Sequence, residues 1–199
     1  HATEGEVWFI DSLIAQAETK RKSLASAPDS GFERLVAGRT CLIMDTGKPS
    51  PSDHTAHAGL LSFELSVGKQ RMVVNCGASP ADPKWDGALR ATAAHSTLVV
   101  DDRNAAEIEA DGMPGARPAH VHAVRSDNDG DMLIEAEHDG YLPTHGLKHF
   151  RRVYLSHTGD DLRVEDRLVY TGDPGDLPKE ACIRLHLHPK VRTSIIQSG

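Results

Sequence analysis

Three side chains able to bind a metal ion stand at the edges of successive apolar runs. They are His57, Asn75 and His95, separated by 18 and 20 residues. His57 belongs to the polar loop PSDHTAHAG (51–59), which also holds His54 and leads into LLSFEL (60–65). Asn75 closes VVN (73–75), and His95 stands directly before STLVVD (96–101). Neighbouring antiparallel strands would bring three such edges together. Imidazole nitrogens with an oxygen donor suit zinc or a similar divalent ion. The competing reading is that each histidine is a hydrogen-bonded structural residue, as buried polar groups generally are. Spacing alone leaves both open.

Other constellations are weaker. DNDGD (127–131) places three aspartates at alternate positions, as in a calcium loop. Its glycine falls fourth rather than sixth and no glutamate follows at position twelve, so a solvated hairpin turn is expected instead. His120 and His122, and His186 and His188, each share one strand face and could chelate, but polar-face histidines are the simpler expectation. Tyr141 in EHDGY (137–141) could reach a sugar, but a core or rim position is the simpler expectation. No GxSxG, phosphate-binding loop or dinucleotide fingerprint is present.

The elements that must position these groups are mostly strands. LLSFELSV (60–67) alternates, with Leu61, Phe63, Leu65 and Val67 on one side and Ser62, Glu64 and Ser66 on the other. That period of two is what a sheet with one buried face requires. Gly68 and Lys69 form a turn into RMVVN (71–75). Further runs are RTCLIMD (39–45), TLVVD (97–101), MLIEAEH (132–138), HFRRVYLS (149–156), LRVEDRLVY (162–170), CIRLHLH (182–188) and VRTSIIQ (191–197), with a TGDD turn at 158–161. Many short strands without intervening helices predict an all-β, antiparallel β-sandwich. Only residues 5–24 read as a helix, from Val7, Ile10, Leu13, Ile14 and Ala17 one turn apart, and SAPDSG (26–31) ends it. The expected division is a helical linker over 1–30 and a sandwich over 31–199, truncated at both ends relative to the natural protein.

Composition narrows the classes. A chain of 199 residues can bury a real core. A net charge of -7 argues against nucleic-acid partners, which need a basic footprint. No apolar run approaches the ~20 residues of a membrane helix, so no membrane partner is expected. The N-terminus, HATEGEVWF, shows no basic-then-apolar leader, which leaves a bacterial cytoplasmic or periplasmic setting open. Cys41, Cys76 and Cys182 lack zinc-ribbon spacing and read as buried free thiols.

The blocks TAHAGLLSFEL (55–65), VVNCG (73–77) and LRATAAHSTLVVDD (89–102), in this order, resemble the β-sandwich domain of heparinase II/III-type polysaccharide lyases. EHDGY, HFRRVYL (149–155), LRVEDRL (162–168) and LHLHP (185–189) extend the likeness from about GFERL (31–35) to LHLHP. The resemblance implies a metal triad at His57, Asn75 and His95, commonly zinc, with Asn75 standing where the family has aspartate. Thr55 occupies the catalytic-histidine position and cannot act as a base near neutral pH. His54, one residue away, is the substitute candidate for a catalytic residue, although one step along a strand points to the opposite face. Gly59 replaces a second aspartate. Arg90, the arginine of LRATAAHST, and Tyr141 are the candidate substrate contacts.

The implied chemistry is β-elimination across an acidic, uronic-acid-containing polysaccharide. It needs a group that neutralises the carboxylate and an acid/base pair. In the family the tyrosine and asparagine for this come from a helical toroid preceding the sandwich, so that N-terminal toroid is the implied partner and the isolated chain is expected to be inactive. The rival expectation is a non-catalytic carbohydrate-binding or scaffolding sandwich, between which and an enzyme fold alone cannot choose.

Overall fold

The computed structural model describes residues 24–27, 29–49, 53, 55–109, 115–116, 118, 120–172 and 177–194. The helix expected over 5–24 lies outside these residues save for Leu24. His54 and the last residues of the run at 191–197 lie outside them as well. Residues 191–194 form no strand.

The expected antiparallel β-sandwich is what the chain forms. One sheet has the order β1-β2-β3-β4-β5-β12, formed by Ser26–Ala27, Phe32–Ala37, Thr40–Asp45, Phe63–Val67, Gln70–Val74 and His186–Leu187. The second has the order β10-β9-β8-β7, formed by Leu162–Tyr170, Leu147–Leu155, Asp131–His138 and Val121–Asn128. A two-stranded ribbon pairs β6 (Leu98–Val100) with β11 (Ala181–Ile183). Leu35, Leu42, Met44 and Phe63 from the first sheet meet Ile134, Val153 and Leu155 from the second in one core. A smaller core gathers Leu60, Leu98, Val100, Tyr141 and Leu147.

Several sequence expectations need correction. The strand expected over 60–67 begins only at Phe63, because Leu61 adopts φ 56. A left-handed conformation is strained for a residue with a side chain, at a cost of about 1–3 kcal/mol. Leu61 and Phe63 are buried as the alternation predicts, and Leu65 packs against the core while partly exposed. The run 182–188 is two short strands in different sheets rather than one. A helix, α1 (Pro83–Arg90), interrupts what read as an all-strand stretch. Its start follows from ADPKWD: Asp82 caps it by accepting from the Lys84 N–H at 3.1 Å, and Pro83 pre-sets φ in the first turn. Cys76 is exposed, whereas a buried thiol was expected there. The turn at Gly68 is as expected, with φ 62. DNDGD is likewise a hairpin turn, in which Asp131 accepts from the Tyr154 hydroxyl at 2.7 Å and the His157 N–H at 2.7 Å.

Strand β9 explains how the sheets are tied together. Leu147, His149, Arg151, Val153 and Leu155 alternate inward, which places a guanidinium and an imidazole in the core. Asp166 on β10 accepts from Arg151 Nε at 2.7 Å, from Arg151 Nη2 at 2.9 Å and from His149 Nε2 at 2.7 Å. His149 Nδ1 in turn accepts from His138 Nε2 at 3.1 Å, and His138 Nδ1 accepts from the Gly140 N–H at 3.0 Å. This chain of donors fixes one tautomer for each imidazole. Arg151 and His149 are 0% exposed. Burial works to raise the Asp166 pKa, but the His149 and Arg151 bonds and charges outweigh it and hold the carboxyl at about 2. Burial, reinforced by the Arg151 charge, keeps both histidines below the ordinary imidazole value.

Two outcomes follow. Removing one member of a buried pair leaves the other charge uncompensated, so Arg151→Met should lower unfolding free energy by roughly 3–5 kcal/mol in urea titration. The pH profile has a definite sign. His138, His149 and His95 have depressed native pKa values, so their contribution is complete above about pH 6.5 and is lost as pH falls. Each costs about 1.4 kcal/mol per pH unit while only the unfolded chain takes up its proton. Asp45, raised to about 6, opposes one of them between about pH 6 and 4. The thermal midpoint should therefore fall on going from pH 7 to 5; a flat or rising profile would contradict the buried neutral histidines.

Candidate functional site

The three strand-edge residues line a single cleft of about 670 Å³, on the side where the β3–β4 loop meets the end of β5. Hydrogen bonds, direct and through a core arginine, bring the loop carrying His57 against the turn carrying His95. The Ala58 N–H donates to Arg90 O at 2.8 Å, and the Thr92 hydroxyl donates to Ala58 O at 2.6 Å. The Thr97 hydroxyl donates to Leu60 O at 2.8 Å. Arg151 Nη1, reaching up from the core, donates to Leu61 O at 2.7 Å and Ser96 O at 2.9 Å. The buried ion pair thereby holds both histidine loops.

Within the cleft, His57 Nδ1 and His95 Nε2 are 3.0 Å apart and the rings meet edge to face. His95 Nδ1 lies 2.8 Å from Ala91 O, a carbonyl that can only accept. The proton therefore sits on His95 Nδ1, its Nε2 accepts from His57 Nδ1, and His57 Nε2 keeps a lone pair. Burial lowers the His95 pKa to about 4, with the His57 and His186 charges adding to the effect. Burial also lowers that of His57, followed by the Arg90 charge. Both rings are neutral near pH 7.

Asn75 is committed to its surroundings. Its Oδ1 accepts from the Ser96 N–H at 2.9 Å and its Nδ2 donates to the Ser62 hydroxyl at 3.4 Å. Its N–H donates to Glu64 at 3.1 Å. Thr55 donates its hydroxyl to Asp53 at 2.7 Å. A Cβ on Gly59 would run into His95 Cδ2, so the His95 ring occupies the space a side chain at 59 would need. Asp45 also faces the cleft, and burial raises its carboxyl to about 6 against the lowering bond from Gly47. Among the described residues Asp29, Asp45, Asp53 and Glu64 line the cleft with Lys48 as the one lysine.

As a donor set for zinc, two neutral imidazoles and an amide bring no negative charge, and the Arg90 cation stands close enough to depress His57. The tautomer of His95 is the one a ligand needs, with its second nitrogen bonded to a carbonyl. The amide oxygen, however, already accepts a backbone N–H. The set does not fit a resident zinc ion, whose protein ligands are thiolates, imidazoles and carboxylates.

Two candidate residues are corrected. Tyr141 is 0% exposed and donates its hydroxyl to Leu98 O at 3.0 Å, so it is a core residue and not a sugar contact. Arg90 is 4% exposed, donates Nε to Ala56 O at 3.0 Å and pairs with Asp86 at 3.7 Å. It braces the His57 loop from behind and is not placed to meet a substrate. Of the paired histidines, His186 Nε2 lies 2.9 Å from Ala93 O, and His188 Nδ1 accepts from the Lys190 N–H. The Arg151–Asp166 pair was missed in the sequence, although the inward phase of HFRRVYL carries its signal.

A family model described as Heparinase II/III-like, C-terminal matches residues 19–198. FtsZ-localized protein C of Caulobacter vibrioides is 33% identical over 207 residues, covering 96% of this chain and 35% of its own length. Among solved structures, the heparan sulfate lyase HepC of Pedobacter heparinus superposes with a TM-score of 0.58 at 18% identity, over 81% of this chain and 25% of that one. A heparinase III structure gives a TM-score of 0.54 at 14% identity, over 74% of this chain and 21% of that one. These likenesses to solved structures establish the fold. The chain spans about a third of the curated relative's length.

The donor set generates one measurement. Asn75→Asp places a carboxylate beside the two imidazoles, and zinc affinity by calorimetry should rise at least about ten-fold, or ~1.4 kcal/mol. Equal affinity in both proteins would show that the missing charge is not what limits the site.

Proposed function

The chain belongs to the Heparinase II/III-like, C-terminal family, and from that premise we propose that it is a non-catalytic carbohydrate-binding and scaffolding β-sandwich within a longer protein. The observation that carries this reading is the state of the cleft. Thr55 stands where the resemblance requires a catalytic histidine, and its hydroxyl is bonded to Asp53. His57 and His95 are bonded to each other, and Asn75 to Ser96 and Ser62. Elimination needs a base near neutral pH and a group that neutralises a carboxylate. The described cleft residues instead present four carboxylates to an acidic substrate. Such a wall repels a polyanion. The 33%-identical relative is named for localisation with FtsZ and not for an enzymatic activity, which accords with a scaffolding role here.

A second reading keeps the chain as the sandwich half of a lyase that cleaves uronic-acid-containing polysaccharide. It draws on the lone pair of His57 Nε2, on a ring whose other nitrogen is already bonded to His95. In that reading His57 would take the role Thr55 cannot, while a preceding helical domain supplies the remaining acid and base.

One assay separates the two. The full-length protein is incubated with a panel of polyuronates and the unsaturated-uronate absorbance is followed. No increase is expected. An increase that disappears in His57→Ala would overturn the non-catalytic reading and establish the second.

A further inference from the structure

The outer face of the four-stranded sheet, away from the His57 cleft, carries a groove of about 320 Å³. Its floor is two cross-strand rows fixed by the register. One row runs Arg167, Phe150, Glu137, His122 across β10, β9, β8 and β7. The next runs Glu165, Arg152, Glu135, Val124. Directly opposed side chains in such rows lie within reach of one another, so opposite charges across the strands can pair.

The compensation is complete except at one residue. Arg152 lies 3.0 Å from Glu135 and 3.6 Å from Glu165. Lys148 lies 3.7 Å from Glu137. Every carboxylate of the groove thus has a cation beside it. Arg167 has none: among the described residues it makes no ion pair, and its guanidinium lies over the Phe150 ring, 5.0 Å from the centroid. Stacking of this kind orients the planar fork while leaving its N–H donors unused. A guanidinium held over a ring, with free donors, matches a carboxylate or phosphate in two parallel bonds. Beneath it the half-buried Phe150 ring offers an apolar surface for the body of a small ring.

We propose that this groove binds a small sugar carrying one oxyanion group, a sugar acid or a sugar phosphate, with Arg167 holding the anion and Phe150 the ring. The volume suits one or two sugar units, at the lower end of the range for small-molecule sites. The charge argument favours an anion over a neutral sugar, because a neutral ligand would leave the Arg167 donors to water. The choice of a sugar as the ring rests on the binding-module reading above.

The test is calorimetry on the full-length protein with glucuronate, glucose 1-phosphate and glucose, each taken to about 10 mM, ten times the ~1 mM Kd of a weak site. At least one anion should bind and glucose should not; which anion binds identifies the source of the oxyanion. Arg167→Gln should weaken binding at least ten-fold without moving the thermal midpoint. Arg167→Lys, which keeps the charge without the fork, should fall between. Phe150→Leu should weaken binding in the same direction. Equal binding of glucose, unchanged affinity in Arg167→Gln, or no heat with either anion would each overturn the groove. None of these results bears on polysaccharide cleavage, so the elimination assay fails or succeeds independently.

Discussion

The buried contact between Arg151 and Asp166 is the constraint on which the rest of the architecture hangs. It joins β9 to β10 through two parallel bonds, and the remaining guanidinium nitrogen leaves the pair to reach Leu61 O and Ser96 O. Those carbonyls belong to the two loops that carry His57 and His95. A charge in a protein interior is tolerated only when its donors are satisfied, because an unpaired buried ion costs several kcal/mol. The loops therefore cannot relax away from each other without orphaning a cation. This also gives a physical account of Leu61: its left-handed backbone is strained, and the Arg151 bond to its carbonyl helps to hold it there.

The same geometry limits what the cleft can do. Closing the two loops together brings the imidazoles to 3.0 Å, and the space at Gly59 lets the His95 ring lie flat against the backbone. A side chain at 59 would push that ring away. The cleft thus holds neutral polar groups largely bonded to one another, with His57 Nε2 left open and carboxylates around them. Satisfied polar networks of this kind rigidify and specify a core. The sandwich contains a second such network, His138–His149–Asp166, entirely inside the protein.

On the opposite face the sheet uses charge differently. There, exposed side chains compensate in rows, and each pair contributes little to stability because solvent screens it. What the rows do is order the side chains, so that a residue left out of the compensation stands in a defined position. Arg167 is that residue, which makes the outer face chemically distinct from the cleft although both belong to one small domain.

The sequence by itself determined the fold class and most of the strands. Period-two alternation is a local property, so LLSFELSV, MLIEAEH and LRVEDRLVY declared their strand character and Leu61 and Phe63 their burial. It also determined that Thr55, Asn75 and Gly59 stand at positions that would decide the chemistry. The order of the blocks pointed to the meeting of His57 and His95, but not to what they would do on meeting. That was decided by the folded structure: Ala91 O, four residues before His95, selects its tautomer, while Ser96 takes up the Asn75 oxygen and His57 meets His95 through contacts 21 and 38 residues apart. The places of Tyr141 and Arg90 were open for the same reason, since a residue type states what a side chain can bond but not whether solvent reaches it. Only packing places Tyr141 under β6 and Arg90 behind the His57 loop. The phase of HFRRVYL shows that Arg151 faces inward, yet its partners come from three distant segments, and a charge whose partners are nonlocal is legible only once the chain has folded.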